Sequence, residues 1–397
     1  MNRWITLLLA TTCAMAVATV YVAQPLLESI ASDLGVAQQQ IGWVVGATQA
    51  GYGLGLILIV PLGDRVNRKC LLLVQLLVAA LALVTVGLAQ DWSLLLAALA
   101  LVGLMAVMVQ VMVALAATLA NPASQGQAVG AVTSGVVLGI LLARLISGVL
   151  ADLAGWRSVY FVAAALLMLM AVVLWRWLPA GRPLTHRPGY VQLIGSLFGL
   201  YRHDRQLRQR GLFGLLIFAS FSVLWSSMVL PLSASPLSLS HTEIGLFGLV
   251  GVAGALAASR AGGLADRGLG ERTTGLALAM LTLSWLPIAF VEQSLMAFVL
   301  GVLMLDFAVQ AVHVTNQSLL LAGRAAMASR LVGAYMCCYS IGSGVGAVLA
   351  SWMYARWGWA AVCALGMAFS ALALGYWWWL GKERAAGAAL RCSGQNL

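Results

Sequence analysis

Charge is what this sequence has least of: 9% of its 397 residues carry one, and only 12 are acidic. A soluble globule presents far more ions to water, so that class is excluded; the chain is instead 62% apolar, with a mean hydropathy of +0.96. Phosphate-cradling patterns are missing too. Neither GxxxxGK[ST] nor GxGxxG occurs between a strand and a helix, which argues against direct powering by ATP. Metal-ligand spacings and a nucleophile with its base in a soluble setting are also lacking, so the expectation is no enzyme, no metal and no cofactor. Six cysteines do not make a disulfide framework, because Cys13, Cys70, Cys337, Cys338 and Cys363 fall in or beside apolar runs.

Apolar length is what the chain has in abundance. A bilayer core of about 30 Å takes roughly 20 helical residues to cross. Twelve stretches qualify, near 5–26, 41–62, 70–89, 93–119, 128–151, 158–178, 211–232, 242–262, 273–291, 295–322, 329–353 and 359–381. Little else remains except 179–210, so the sequence predicts an all-α polytopic membrane protein without a separate soluble domain. The start, MNRWITLLLATTCAMA, also fits a signal peptide, but its removal would leave eleven spans and break the repeat described below.

A net charge of +10 raises the question of nucleic acid. The distribution answers it. With the N-terminus in the cytoplasm, 19 of the 22 Lys and Arg fall in inward loops and termini; Arg157 and Arg356 fall outside and Arg144 within a span. The positive-inside rule therefore predicts both termini cytoplasmic, and no nucleic-acid partner is expected. Acids such as Glu28, Asp33 and Asp152 go to the outward loops.

PLGDRVNRK at 61–69 has a partner in GGLADRGLGER at 262–272, with Asp64-Arg65 and Asp266-Arg267 separated by 202 residues. Ile41-Gly42 and Ile244-Gly245, Gly139 and Gly342, and Gly155-Trp156 and Gly358-Trp359 are each 203 apart. Together they imply two homologous halves of six helices, 1–178 and 211–397, joined by a linker at 179–210. An even number of helices per half makes the repeats parallel.

At this point the chain resembles the major facilitator superfamily. Its signature loop, Gly-x-x-x-Asp-Arg-x-x-Arg-Lys, matches Asp64, Arg65, Arg68 and Lys69, with Val60 in the first position; the second copy supplies Gly262, Asp266 and Arg267 and then departs at Gly270, Glu271 and Arg272. More narrowly, YVAQPLLESIASDLGV at 21–36 and QAGYGLGLILIVPLGDR at 49–65 are similar to bacterial sugar and drug efflux permeases. The resemblance implies a 12-helix transporter of the bacterial inner membrane, here expected to be a monomer. It also implies a conformational gate at Asp64, Arg65, Arg68, Asp266 and Arg267, and a central path lined by the first, fourth, seventh and tenth helices.

Polar residues inside spans are expensive and so mark function. The tenth span carries Asp306, Gln310, His313 and Gln317 at i, i+4, i+7 and i+11, one face of a helix. That stripe fits a water-accessible cavity, and it also fits hydrogen bonding between helices. The 203 offset places Gln110 opposite His313, and Tyr21, Gln24 and Trp225 are substrate-binding candidates on the path-lining helices. Arg144 admits three readings: an outer gate or ion pair with Glu28 or Asp306, a substrate contact, or snorkelling to the interface.

With no nucleotide site, transport against a gradient requires an ion. Asp306 is the first candidate proton carrier and His313 the second, since each can change charge within the membrane. Proton-driven efflux of a small organic molecule is the leading expectation. Its alternatives are import of a metabolite and, in another class, a transport-inactive sensor. The fifth span lacks the Gly-Pro of the family's antiporters and carries Arg144 instead.

Overall fold

The computed structural model describes residues 3–119, 125–179, 189–251, 264–324 and 327–394. Among the described residues all regular structure is helical. The first half comprises α1 (Arg3–Asp33), α2 (Gln38–Gly63), α3 (Arg68–Leu88), α4 (Trp92–Leu119), α5 (Val129–Ala154) and α6 (Trp156–Trp177). After a linker helix at Tyr190–His203 come α7 (Arg205–Ser233), α8 (His241–Val250), α9 (Gly270–Ile288) and α10 (Leu295–Leu321). A final helical run, Ala328–Gly394, breaks at Gly358 and so supplies two helices, α11 (328–357) and α12 (359–394).

Local sequence fixes where these helices begin. Asn67, Asp204, Ser240 and Ser294 cap α3, α7, α8 and α10 by accepting backbone N–H bonds, and Ser240 with Glu243 forms a capping box. The Gly-Trp pairs mark equivalent corners. Gly155 and Gly358 hold φ of 77° and 71°, a region that costs a side chain strain, and each turns the chain into the next helix. Within α1 the residues Gln24–Leu26 form a 3-10 turn at Pro25, which has no N–H for a helical bond.

In the first half α1 packs on α5, α2 on α4 and α3 on α6; in the second, α7 packs on the final run and α9 on α10. The outer surfaces are apolar, with Leu81, Val172, Leu276 and Leu372 exposed as a surrounding bilayer requires. Two seams join the halves, α5 against α8 and α2 against α11. Both depend on a glycine. A Cβ on Gly245 would stand 2.6 Å from the carbonyl oxygen of Arg144, and one on Gly42 would stand 2.2 Å from that of Ala347. These residues are related by the same 203 offset on both sides of the contact, so the sequence repeat is a repeat of the seams themselves.

Candidate functional site

Arg144 sits in the α5 seam, 2% exposed, so it does not snorkel. Its Nε donates to Oε1 of Gln24 on α1 at 2.6 Å, and its guanidinium carbon lies 3.5 Å from the ring centroid of Trp225 on α7. Tyr21 and Phe221 flank it at 5.3 and 5.8 Å. Trp225 in turn donates its Nε1–H to Oδ1 of Asp306 on α10 at 3.1 Å. A chain Gln24–Arg144–Trp225–Asp306 thus crosses from one half to the other. All four side chains are buried. The indole does two jobs: its face holds a cation, worth about 2 kcal/mol or more when desolvated, and its edge serves a carboxylate.

Arg144 forms no ion pair with either expected partner. Glu28 is exposed, and among the described residues neither Arg144 nor Asp306 has an opposite charge in ion-pair contact. Arg144 and Asp306 instead line one small cavity of about 60 Å³ with Gln310, Phe221 and the aliphatic side chains Val137, Ile140 and Leu141. A Cβ on Gly251 would stand 3.3 Å from Oδ2 of Asp306, so a glycine lets the backbone come this close to the carboxylate.

The polar stripe of α10 divides in two. Asp306 and Gln310 face the cavity, whereas His313 bonds through Nδ1 to the hydroxyl of Tyr335 at 3.0 Å and Gln317 lies 3.2 Å from its Nε2. Phe218 stands edge-on to His313 at 5.1 Å and to Tyr339 at 4.2 Å, and the Tyr339 hydroxyl meets that of Tyr21 at 2.6 Å. On α7 it is Phe218 that packs on His313 and Trp225, two turns further on, that meets Asp306. Gln110 joins neither group and faces Tyr52. Sequence reasoning missed Tyr335 and Tyr339, whose spacing carries no signal of its own.

At one face of the bundle the halves are tied together. Asp152, near the end of α5, accepts from the backbone N–H groups of His241 and Thr242 at 3.2 and 2.8 Å, from the Thr242 hydroxyl at 2.6 Å and from His241 Nδ1 at 2.7 Å. The other ring nitrogen of His241 meets Ser29 Oγ of α1 at 2.6 Å. One carboxylate therefore serves the N-terminus of a helix in the opposite half, where the partial positive charge of the peptide dipoles favours it. The sequence pointed to a contact of this kind at Asp64, whose side chain lies outside the described residues; Asp152 makes one between the halves.

At the opposite face, Arg68 donates to the carbonyl oxygens of Gly63 and Ala114 at 3.0 and 3.4 Å, and Lys69 to that of Trp175 at 2.9 Å and that of Leu178. These contacts all lie within the first half. Arg65 is half-buried and Arg267 exposed, while the side chains of Asp64 and Asp266 lie outside the described residues. The helix that holds the seventh span begins before the span itself. The helix starts at Arg205, and Arg210 is buried in it, paired with Glu271 of α9 and 3.3 Å from Oδ1 of Asn316 on α10.

The sequence model described as Major Facilitator Superfamily matches residues 7–344. The chain belongs to that superfamily. An uncharacterized transporter of Escherichia coli, YgaY, is 43% identical over 371 residues, 94% of each chain, and a protein of Streptomyces coelicolor described as a transporter is 32% identical over 372 residues, 92% of this chain and 85% of its own. In fold, the chain is similar to a bacterial homologue of the human lysosomal transporter Spinster in its inward-facing and occupied conformation: TM-score 0.75, 16% identity, covering 96% of each.

Nine helical runs among the described residues are long and apolar enough to cross a membrane. The last contains the Gly358 break and so supplies two helices; with α8 and α9 this gives the twelve of the major facilitator fold. The protein is thus a multi-pass membrane transporter of the superfamily, with the Gln24–Arg144–Trp225–Asp306 chain between its two bundles.

Proposed function

We propose that the protein is a proton-coupled secondary transporter that moves a small organic molecule across the bacterial inner membrane by alternating access, with both termini cytoplasmic. The observation that carries this is Asp306: a buried carboxylate, held by a neutral indole N–H rather than by a cation, on a contact chain that spans the two halves. Adding or removing its proton changes the strength of that chain, and so couples protonation to the relative position of the bundles. On this reading the Asp152 latch closes the outward side, while the cavity beside Arg144 takes the substrate.

Export in exchange for protons is the direction taken from the similarity to efflux permeases. It requires substrate and proton to compete at Asp306. A second reading, movement of substrate and proton together, is favoured by the fixed positive charge of Arg144 on the same cavity.

Both are tested by comparing small molecules retained by cells expressing wild type, Asp306→Asn or empty vector, with and without a protonophore. Compounds depleted by wild type alone and restored by protonophore support exchange; accumulation by wild type supports uptake. Transport by Asp306→Asn with an undiminished dependence on the proton gradient removes Asp306 from the role.

A further inference from the structure

The guanidinium of Arg144 is only partly used. Nε is taken by Gln24 and one face by Trp225, but Nη2 is buried with no hydrogen-bond partner among the described residues. A buried cationic donor without an acceptor has given up its hydration with nothing in return, and the charge adds to that cost. Arg144 lines the same cavity as Asp306 and Gln310, and the remaining lining is apolar.

We propose that this edge of Arg144 binds the carboxylate of a small organic monocarboxylate, whose apolar body lies against Val137, Ile140, Leu141 and Phe221. This rests on the reading of the cavity as the transport site. The chemistry selects the class in steps. A guanidinium offers donors only, so the group it meets is an acceptor, and its planar edge suits a carboxylate's two oxygens. With Asp306 protonated, the one positive charge of Arg144 matches a single negative charge, and a doubly charged phosphate would leave one charge unmatched. A neutral sugar needs many polar partners, and beyond the two ions the lining offers the amide of Gln310. The cavity of about 60 Å³ takes a carboxylate with one or two carbons, so larger bodies enter only as the α5–α8 seam parts.

The test is equilibrium binding of radiolabelled propionate and benzoate to the full-length protein in nanodiscs, with no proton gradient. Propionamide and benzamide, alike in shape but uncharged, and benzylamine serve as competitors. Unlabelled carboxylates are expected to displace the label and the amides and amine to fail. Arg144→Lys keeps the charge but not the fork and is expected to weaken binding about tenfold. Asp306→Asn is expected to bind at least as tightly as wild type. Equal displacement by the amides, unchanged affinity in Arg144→Lys, or no carboxylate binding at millimolar concentration would each overturn the proposal. The discrimination between carboxylate and amide needs no variant, so a misfolded mutant does not leave the question open. Because binding is read without a gradient, failure of proton coupling at Asp306 leaves this result standing, and the reverse also holds.

Discussion

Asp152 and His241 meet across the seam between the halves at 2.7 Å, and the same carboxylate holds the first turn of the helix that His241 begins. Bonds to a charged acceptor are worth about 1.5–3 kcal/mol each when shielded, and less at a site as open as this one.

Asp152→Asn keeps the shape and loses the charge. It is expected to shift the balance between bundle positions roughly tenfold toward the state open at this face, an effect of about 1.4 kcal/mol. Pulsed EPR between spin labels at Leu153 of α5 and Leu246 of α8, both exposed, reads it directly: a longer distance should grow in the variant. An unchanged distribution would mean that the latch does not set the equilibrium.

Gly245→Val puts side-chain atoms where only 2.6 Å separates a Cβ from the Arg144 carbonyl oxygen. Overpacking of this kind costs about 1–3 kcal/mol. The expected result is a lower melting temperature in detergent together with at least about tenfold slower transport, since the seam that must close cannot. Normal melting and normal transport would show that the helices slip apart at no cost.

Trp225→Phe leaves a ring for Arg144 and deletes the N–H that Asp306 accepts. Loss of one donor to a buried carboxylate costs about 1–3 kcal/mol, so transport driven by a pH gradient is expected to slow roughly tenfold or more, with substrate counterflow less affected. His313→Gln is the contrasting variant. Bonded to Tyr335 and packed against Phe218, the imidazole is not part of the cavity lining, and its replacement is expected to leave gradient dependence intact. A matched loss in both variants would unite the two groups into one relay.

The sequence carried the membrane fold well, because apolar length and charged loops are properties a chain displays in one dimension. The repeat was equally legible: the offset that pairs Gly42 with Gly245 also pairs their contacts, Ala347 with Arg144. The candidate site was legible residue by residue but not as a set. Helical spacing placed Asp306 and His313 on one face of α10, yet nothing in that spacing reveals that the first meets Trp225 of α7 and the second Tyr335 of α11. Arg144 was evident as a cation in the membrane, while its use of Gln24 and Trp225 depends on helices 120 and 81 residues away in sequence. The tie at Asp152 was overlooked for a similar reason, since its partners lie 89 and 90 residues further along the chain.

The two seams share a backbone plan but not a purpose. Where α11 has the methyl group of Ala347, its counterpart on α5 has the guanidinium of Arg144, each with its carbonyl oxygen against a glycine of the facing half. A duplicated ancestor leaves a spare copy of every position. Here the spare copy leaves room for one seam to hold a charge where its twin holds a methyl group, so two joints of one backbone design differ in what they can bind.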